Sequence, residues 1–138
     1  MILVTKNDFN VDEELKRLKG RDVGCVVNFV GVVRKVSDGK TIESMEIDVY
    51  PEMAEKQLEA IKNESITKFG VIDVSIVHRF GKLGVGDNIV LVAVSSGHRK
   101  EAFEACRYVI DELKKRVPIW KKEYTSIGSK WVEVDRSD

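Results

Sequence analysis

Apolar and polar residues alternate along this chain in two rhythms, one with a period of two and one with a period between three and four. Ile2 to Lys6 (ILVTK) predicts a short strand. Asn10 is placed as a helix N-cap, with Glu13 as the reciprocal partner of a capping box. That helix starts at Val11 and ends near Lys19, with Gly20 as its stop. Val23 to Val33 is uncharged and rich in valine, the pattern of a strand buried on both faces. Ser37-Asp38-Gly39 is a turn. Met45, Ile47 and Val49 then alternate with Glu46 and Asp48, which predicts a half-buried strand up to Tyr50.

Pro51 suits a first helical turn, where no N–H is needed. The helix it opens runs to about Lys68, buries Ala54, Leu58 and Ile61, and stops at Gly70. Ile72, Val74 and Ile76 alternate with Asp73 and Ser75 in a strand that reaches His78 and Arg79. Gly81, Gly84 and Gly86 predict a tight connection, and Ile89 to Val94 a second doubly buried strand. A long helix follows from about Arg99 to Arg116, with Ala102, Cys106, Val109 and Leu113 turned inward. Val117-Pro118 ends it, because the residue before proline avoids the helical region. Ile119 to Tyr124 and Trp131 to Val134 predict a closing hairpin around Gly128. Helices and strands in this order give an α+β fold with a largely antiparallel or mixed sheet. Repeats and linkers are lacking over residues 1–138, which predicts a single domain.

Composition narrows the function. The 138 residues are 43% hydrophobic and 33% charged, which excludes a disordered chain. Val23 to Val33 has no Asp, Glu, Lys or Arg, and no stretch without them is longer; it is too short for the roughly 20 residues of a membrane helix. The start MILVTKNDF lacks the features of a signal peptide, so a cytoplasmic location is expected. Lys plus Arg and Asp plus Glu both number 23, and that balance argues against a dedicated nucleic-acid binder. Cys25 and Cys106 form no CxxC pair, so neither a disulfide framework nor a structural zinc site is expected.

Four segments could carry chemistry. Gly31 to Arg34 closes a buried strand, and Arg34 there is either a solvated strand end or an anion-binding group. Ser95-Ser96-Gly97-His98-Arg99 opens the long helix, whose free N–H groups favour an anion. A cation at Arg99 opposes the helix dipole, and an anionic ligand would compensate it. Lys114, Lys115 and Arg116 suit a helix C-terminus, whereas Lys121 and Lys122 follow Pro118 and have no such explanation. Period-two geometry puts Lys121 and Lys122 on opposite sides of their strand. His78 has its ordinary reading as a satisfied structural histidine. The glycines that follow it do not spell GxGxxG and precede a strand, which excludes a dinucleotide fingerprint.

Together these segments carry a family resemblance. FVGVVR at 29–34, VYPEMAEKQL at 49–58, VHRFGKLGVGD at 77–87, SSGHRKEAFEA at 95–105 and LKKRVPIWKKE at 113–123 resemble the large, catalytic subunit of molybdopterin synthase. The match continues through GSKWVE at 128–133. The resemblance implies an α/β hammerhead core with an added antiparallel β subdomain. It implies a sulfurtransferase of molybdenum cofactor biosynthesis, which converts cyclic pyranopterin monophosphate into molybdopterin by inserting two sulfurs as a dithiolene. The implied sulfur donor is the C-terminal Gly-Gly thiocarboxylate of a small ubiquitin-like partner. The implied assembly is a homodimer of large subunits within a heterotetramer. By position, Val32, Val33, Arg34, His98, Arg99, Lys114, Lys121, Lys122 and Glu123 fall on the family's substrate pocket. Lys114 and Lys121 are the expected catalytic groups, and the arginines the expected phosphate ligands. The transfer itself calls for no cofactor or metal. Two other classes compete: a non-catalytic module whose basic pocket binds a phosphate-bearing or acidic partner, and an RNA binder using Trp120 and Trp131.

Overall fold

A computed structural model describes residues 1–132. Its first sheet takes the strands β1 (Ile2–Thr5), β2 (Cys25–Val32), β6 (Asp73–Arg79) and β8 (Asn88–Ser96) in the order β1-β6-β8-β2. Only β1 and β6 are parallel. The second sheet is antiparallel throughout and takes β5 (Ser44–Val49), β7 (Gly81–Gly84), β9 (Ile119–Thr125) and β10 (Gly128–Trp131) in the order β10-β9-β5-β7. A two-stranded ribbon, β3 (Val36–Ser37) and β4 (Lys40–Thr41), connects the sheets. The helices are α1 (Val11–Leu18), α2 (Pro51–Phe69) and α3 (Arg99–Arg116). This is the mixed α+β architecture that the residue pattern predicts, with the antiparallel sheet as its added part.

Local chemistry sets the helix ends. Asn10 Oδ1 accepts from the Glu13 N–H at 3.1 Å and caps α1. Gly70 adopts φ 68° and donates its N–H to Ile66 O at 2.9 Å, closing α2 in the left-handed conformation glycine permits. Val117 leaves the helical region ahead of Pro118 and ends α3.

The core has two layers. Val74 and Ile76 of β6 and Val92 and Val94 of β8 pack under Leu58, Ile61 and Val109 of α2 and α3. Ile47 and Leu83 of the second sheet belong to that same cluster, which fixes one sheet against the other. On the opposite face, Val77, Leu91 and Ala93 are covered by α1 through Leu18.

Four expectations are corrected. β2 is not buried on both faces: it is the outer strand of its sheet, with Phe29 38% and Val32 50% exposed. Its valine content reflects one covered face plus an open edge. The glycine-rich stretch after Arg79 is not only a connection, because Gly81 to Gly84 pairs with β5 as a strand. Gly20 is not a left-handed stop, since α1 ends at Leu18 and leaves the helix through an extended Lys19. The closing hairpin turns at residues 126–127, so Gly128 opens the last strand instead of lying in the turn. Glu133 and Val134, the end of the predicted strand, lie outside the described residues.

One close approach ties the start of β2 to the start of α3. A Cβ on Gly24 would stand 2.2 Å from the Gly97 carbonyl oxygen, and backbone offers no flexible group to move aside. Gly24→Ala is therefore expected to destabilise the fold by about 1–3 kcal/mol. Gly20→Ala, whose nearest contact would be Val23 Cγ2 at 3.9 Å, should stay within about 0.5 kcal/mol. Urea denaturation of both variants checks this, and equal midpoints would contradict it.

Candidate functional site

Where α3 ends against both sheets, a cleft of about 430 Å³ opens. Phe29 to Val32 of β2 and Arg34 just beyond it form one wall. Leu113 and Lys114 of α3 and Lys121 and Glu123 of β9 form the other. Met45, Ile89 and Val90 supply apolar surface, and the ring of His78 is part of the lining.

Each charged side chain arrives there for a local reason. Lys114 sits in the last turn of α3, where a cation meets the negative end of the helix dipole. Lys121 and Glu123 are two residues apart on β9 and so share a face. Lys122 takes the opposite face, with its ammonium 5.2 Å from the Trp131 ring centre and 5.7 Å from that of Tyr124. Glu123 is buried, and its Oε1 has no hydrogen-bond partner among the described residues. Such an oxygen is costly unless a cation or donor faces it, and three cationic side chains line the same cleft.

Of the nine residues expected in the pocket, Val32, Arg34, Lys114, Lys121 and Glu123 are gathered here. Val33 is not: it is a core residue whose N–H and C=O are both taken up by Asp87 and Gly86, at 3.0 and 2.8 Å. Lys122 is outside, over the aromatic rings. His98 and Arg99 are exposed at the other end of α3. At 1.5 Å per residue, Arg99 stands about 22 Å along the helix axis from Lys114. Neither tryptophan lines the cleft, and Trp120 packs edge-on against Tyr50 with ring centres 5.6 Å apart. No three His, Cys, Asp or Glu side chains come together as metal ligands among the described residues.

His78 is the lining group that the residue pattern passed over. It continues the inward row Val74, Ile76, His78 of β6, and a polar residue in such a row was the available signal. Its Nδ1 lies 2.8 Å from the Arg79 carbonyl oxygen. A carbonyl only accepts, so Nδ1 carries the proton and Nε2 of the neutral ring is an acceptor. Burial, with the nearby charge of Lys121 adding to it, lowers the imidazole pKa to about 4.

A mixed sheet with an attached antiparallel sheet, enclosing a largely apolar cleft whose walls carry Arg34, Lys114, Lys121 and Glu123, defines an α+β protein with a charged binding cleft. A sequence-family profile described as "MoaE protein" matches residues 4–116. The chain belongs to the MoaE family. It is 46% identical over 129 residues to the molybdopterin synthase catalytic subunit of Pyrococcus abyssi, covering 94% of this chain and 87% of that one. The crystal structure of molybdopterin synthase from Staphylococcus aureus superposes with a TM-score of 0.90 at 40% identity, covering 94% of this chain and 95% of that one. A complex of subunits 1 and 2 of molybdopterin-converting factor from Helicobacter pylori contains a chain of the same fold. That chain matches with a TM-score of 0.78 at 22% identity and covers 96% of this chain and 90% of its own length.

The buried ring makes stability depend on pH. In the unfolded chain His78 takes up a proton near its ordinary value of 6.5, and in the fold only near 4. Between those values the unfolded state binds more protons, so stability rises with pH through the window and is lost as pH falls. The loss from this residue between pH 7 and pH 4 should be on the order of 3 kcal/mol. Urea midpoints at pH 7 and 4.5 should therefore separate more in the parent protein than in His78→Leu. Equal separations would show that another group carries the dependence.

Proposed function

We propose that this chain is the sulfur-transferring subunit of a molybdopterin synthase, acting on cyclic pyranopterin monophosphate. The observation that carries the reading is the convergence of Arg34, Lys114, Lys121 and Glu123 in one cleft. Arg34 holds the cyclic phosphate through charge-assisted hydrogen bonds. The thiocarboxylate tail of a small ubiquitin-like subunit enters the same cleft and brings one sulfur per visit. Each transfer passes through a tetrahedral or acyl species, and Lys114 and Lys121 stabilise the charge on its oxygen. Water then releases the partner's carboxylate, with one of the lysines moving the proton. The subunit complex from Helicobacter pylori supports a small partner. No described helix is long and apolar enough to cross a membrane.

His98 and Arg99 join the site through a second copy of the chain. β2 has a free edge, and a long edge strand with exposed apolar residues is a template for pairing. Two β2 strands paired antiparallel about a two-fold axis set the start of one beside the end of the other. The start of β2 is tied to the start of α3, because Gly24 N–H donates to Ser96 O at 2.9 Å. The end of β2 lines the cleft. Such a pair therefore brings one copy's His98 and Arg99 to the other copy's Arg34 and Lys114. With a small subunit at each end, the assembly is a heterotetramer.

Turnover separates this reading from a module that only binds. Lys121→Ala should lower single-turnover sulfur transfer by about 10²–10³-fold with the fold intact, and Lys122→Ala should cost far less. A larger loss in Lys122→Ala would place the chemistry on the wrong face of β9. Arg99→Ala should weaken substrate binding without lowering the melting temperature. Equal mixing of Arg99→Ala and Lys121→Ala copies should restore roughly a quarter of parent activity, since half of the dimers then hold one intact site of two. No recovery after subunit exchange would show that each copy builds its site alone.

A further inference from the structure

The glycine-rich stretch from Gly81 to Asp87 leads from the second sheet into the first. Its opening part, β7, is held in the second sheet, where Gly84 pairs with Ser44 of β5. Residues 84–87 then turn toward β8. Asp87 closes that turn twice: its N–H donates to Gly84 O at 3.0 Å, and its Oδ2 accepts from the Gly84 N–H at 2.8 Å. Gly86, at φ 87°, supplies the left-handed residue within the turn. The backbone of the same turn grips the end of β2. Val33 N–H donates to Asp87 O at 3.0 Å, and Gly86 N–H donates to Val33 O at 2.8 Å. The β2–β8 ladder is irregular between Gly31 and Val32 and ends with Val32 opposite Asn88, so these bonds hold the chain beyond the ladder. Arg34 is the next residue. On its other side, Lys35 O accepts from the Ile42 N–H at 2.6 Å.

We infer that Asp87 is a positioning residue for Arg34: its carboxylate sets the turn whose backbone fixes where Arg34 leaves β2 for the cleft. The inference deepens the proposed function, and its kinetic part rests on that reading. The reasons are mechanical. Arg34 is exposed and has a long side chain, so fixing its backbone removes part of the freedom that binding an anion would otherwise have to remove. The two walls of the cleft also belong to different sheets. Arg34 stands at the end of β2 in the first sheet, and Lys121 stands on β9 in the second. The turn is rooted in the second sheet through β7 and grips the first through Val33, so it sets how far apart these walls stand. Val33 is buried, and it cannot follow a shifted turn without disturbing the core. A hydrogen bond to a carboxylate is stronger than one to a neutral oxygen, which suits a turn open to water. Asp87 does not line the cleft, and it acts there only through Val33 and Arg34.

Two measurements test it. The first is amide hydrogen exchange in the free protein, which involves no substrate. Asp87→Ala should speed exchange at Val33 and Gly86 by about 10-fold while Val92 in β8 stays at its parent rate. Asp87→Asn, which keeps an acceptor oxygen, should hold Val33 within about threefold of the parent rate. Unchanged exchange at Val33 in Asp87→Ala overturns the inference. An equal rise at Val92 also overturns it, because the carboxylate would then serve general stability. The second measurement is single-turnover transfer with saturating thiocarboxylated partner and varied cyclic pyranopterin monophosphate. Asp87→Ala should raise the apparent substrate constant about 3- to 30-fold with the limiting rate within about twofold, and Asp87→Asn should recover most of that loss. In an Arg34→Ala background, adding Asp87→Ala should raise the constant no further. An unchanged constant in Asp87→Ala, or the same factor with and without Arg34, overturns the positioning role. Local loosening at Val33 together with no transfer by the parent protein would instead overturn the proposed function and leave the turn's grip on Val33 standing.

Discussion

β8 runs from Asn88 to Ser96 with every residue after the first buried, and the other elements are arranged to keep it so. Its two edges are paired, by β6 on one side and β2 on the other. Its two faces are covered, one by α2 and α3 and the other by α1. A strand this apolar in water would leave both its surface and its backbone groups exposed to loss, so enclosure is what makes the arrangement stable. α3 follows β8 directly and packs back along it, so the helix must end at the level where β8 began. That level is where β2 ends, and where the second sheet is fixed by Ile47 and Leu83. The cleft forms at this junction because a helix end, a strand end and a second sheet cannot fill the corner between them.

The cleft's charge follows from the same geometry. The helix end tolerates Lys114 because the dipole there is negative. The alternation of β9 turns Lys121 and Glu123 in and Lys122 out, where two aromatic rings hold it. Like charges held close are costly, and the buried carboxylate of Glu123 in the same cleft offsets part of that cost. His78 adds polarity without charge, because burial keeps it neutral.

The separation of the two ends of α3 has a functional meaning. A helix of 18 residues cannot bring its first and last turns to one ligand. His98 and Arg99 therefore act elsewhere in a lone chain, or at a shared site in a pair. The free edge of β2 favours the second arrangement, since it lies between the two places that would have to meet. The small ribbon beyond β2 is held separately: Asp38 and Gly39 take positive φ in its two-residue loop, and Lys130 reaches Asp38 at 2.8 Å.

The residue pattern by itself determined the three helices, most of the strands and the alternation that separates Lys121 from Lys122. These are local properties: a period of 3.6 or 2, a cap at Asn10, a proline at 51, a glycine at 70. It also gave the family resemblance, and with it the cations of the cleft. Whether Val23 to Val33 was central or outermost was not legible, because a strand facing a second copy and one facing a second layer are equally apolar. Gly81 to Gly84 was hidden as a strand because pairing with β5, not propensity, makes it one. His78 looked structural because only the tertiary arrangement, which brings residues of α3 and β9 to the same cleft, reveals that His78 lines it. The fate of His98 and Arg99 was likewise a tertiary matter. Sequence neighbours fix which residues share a helix, but the antiparallel return of α3 along β8 decides which end of that helix meets Arg34, and long-range pairing alone sets that direction.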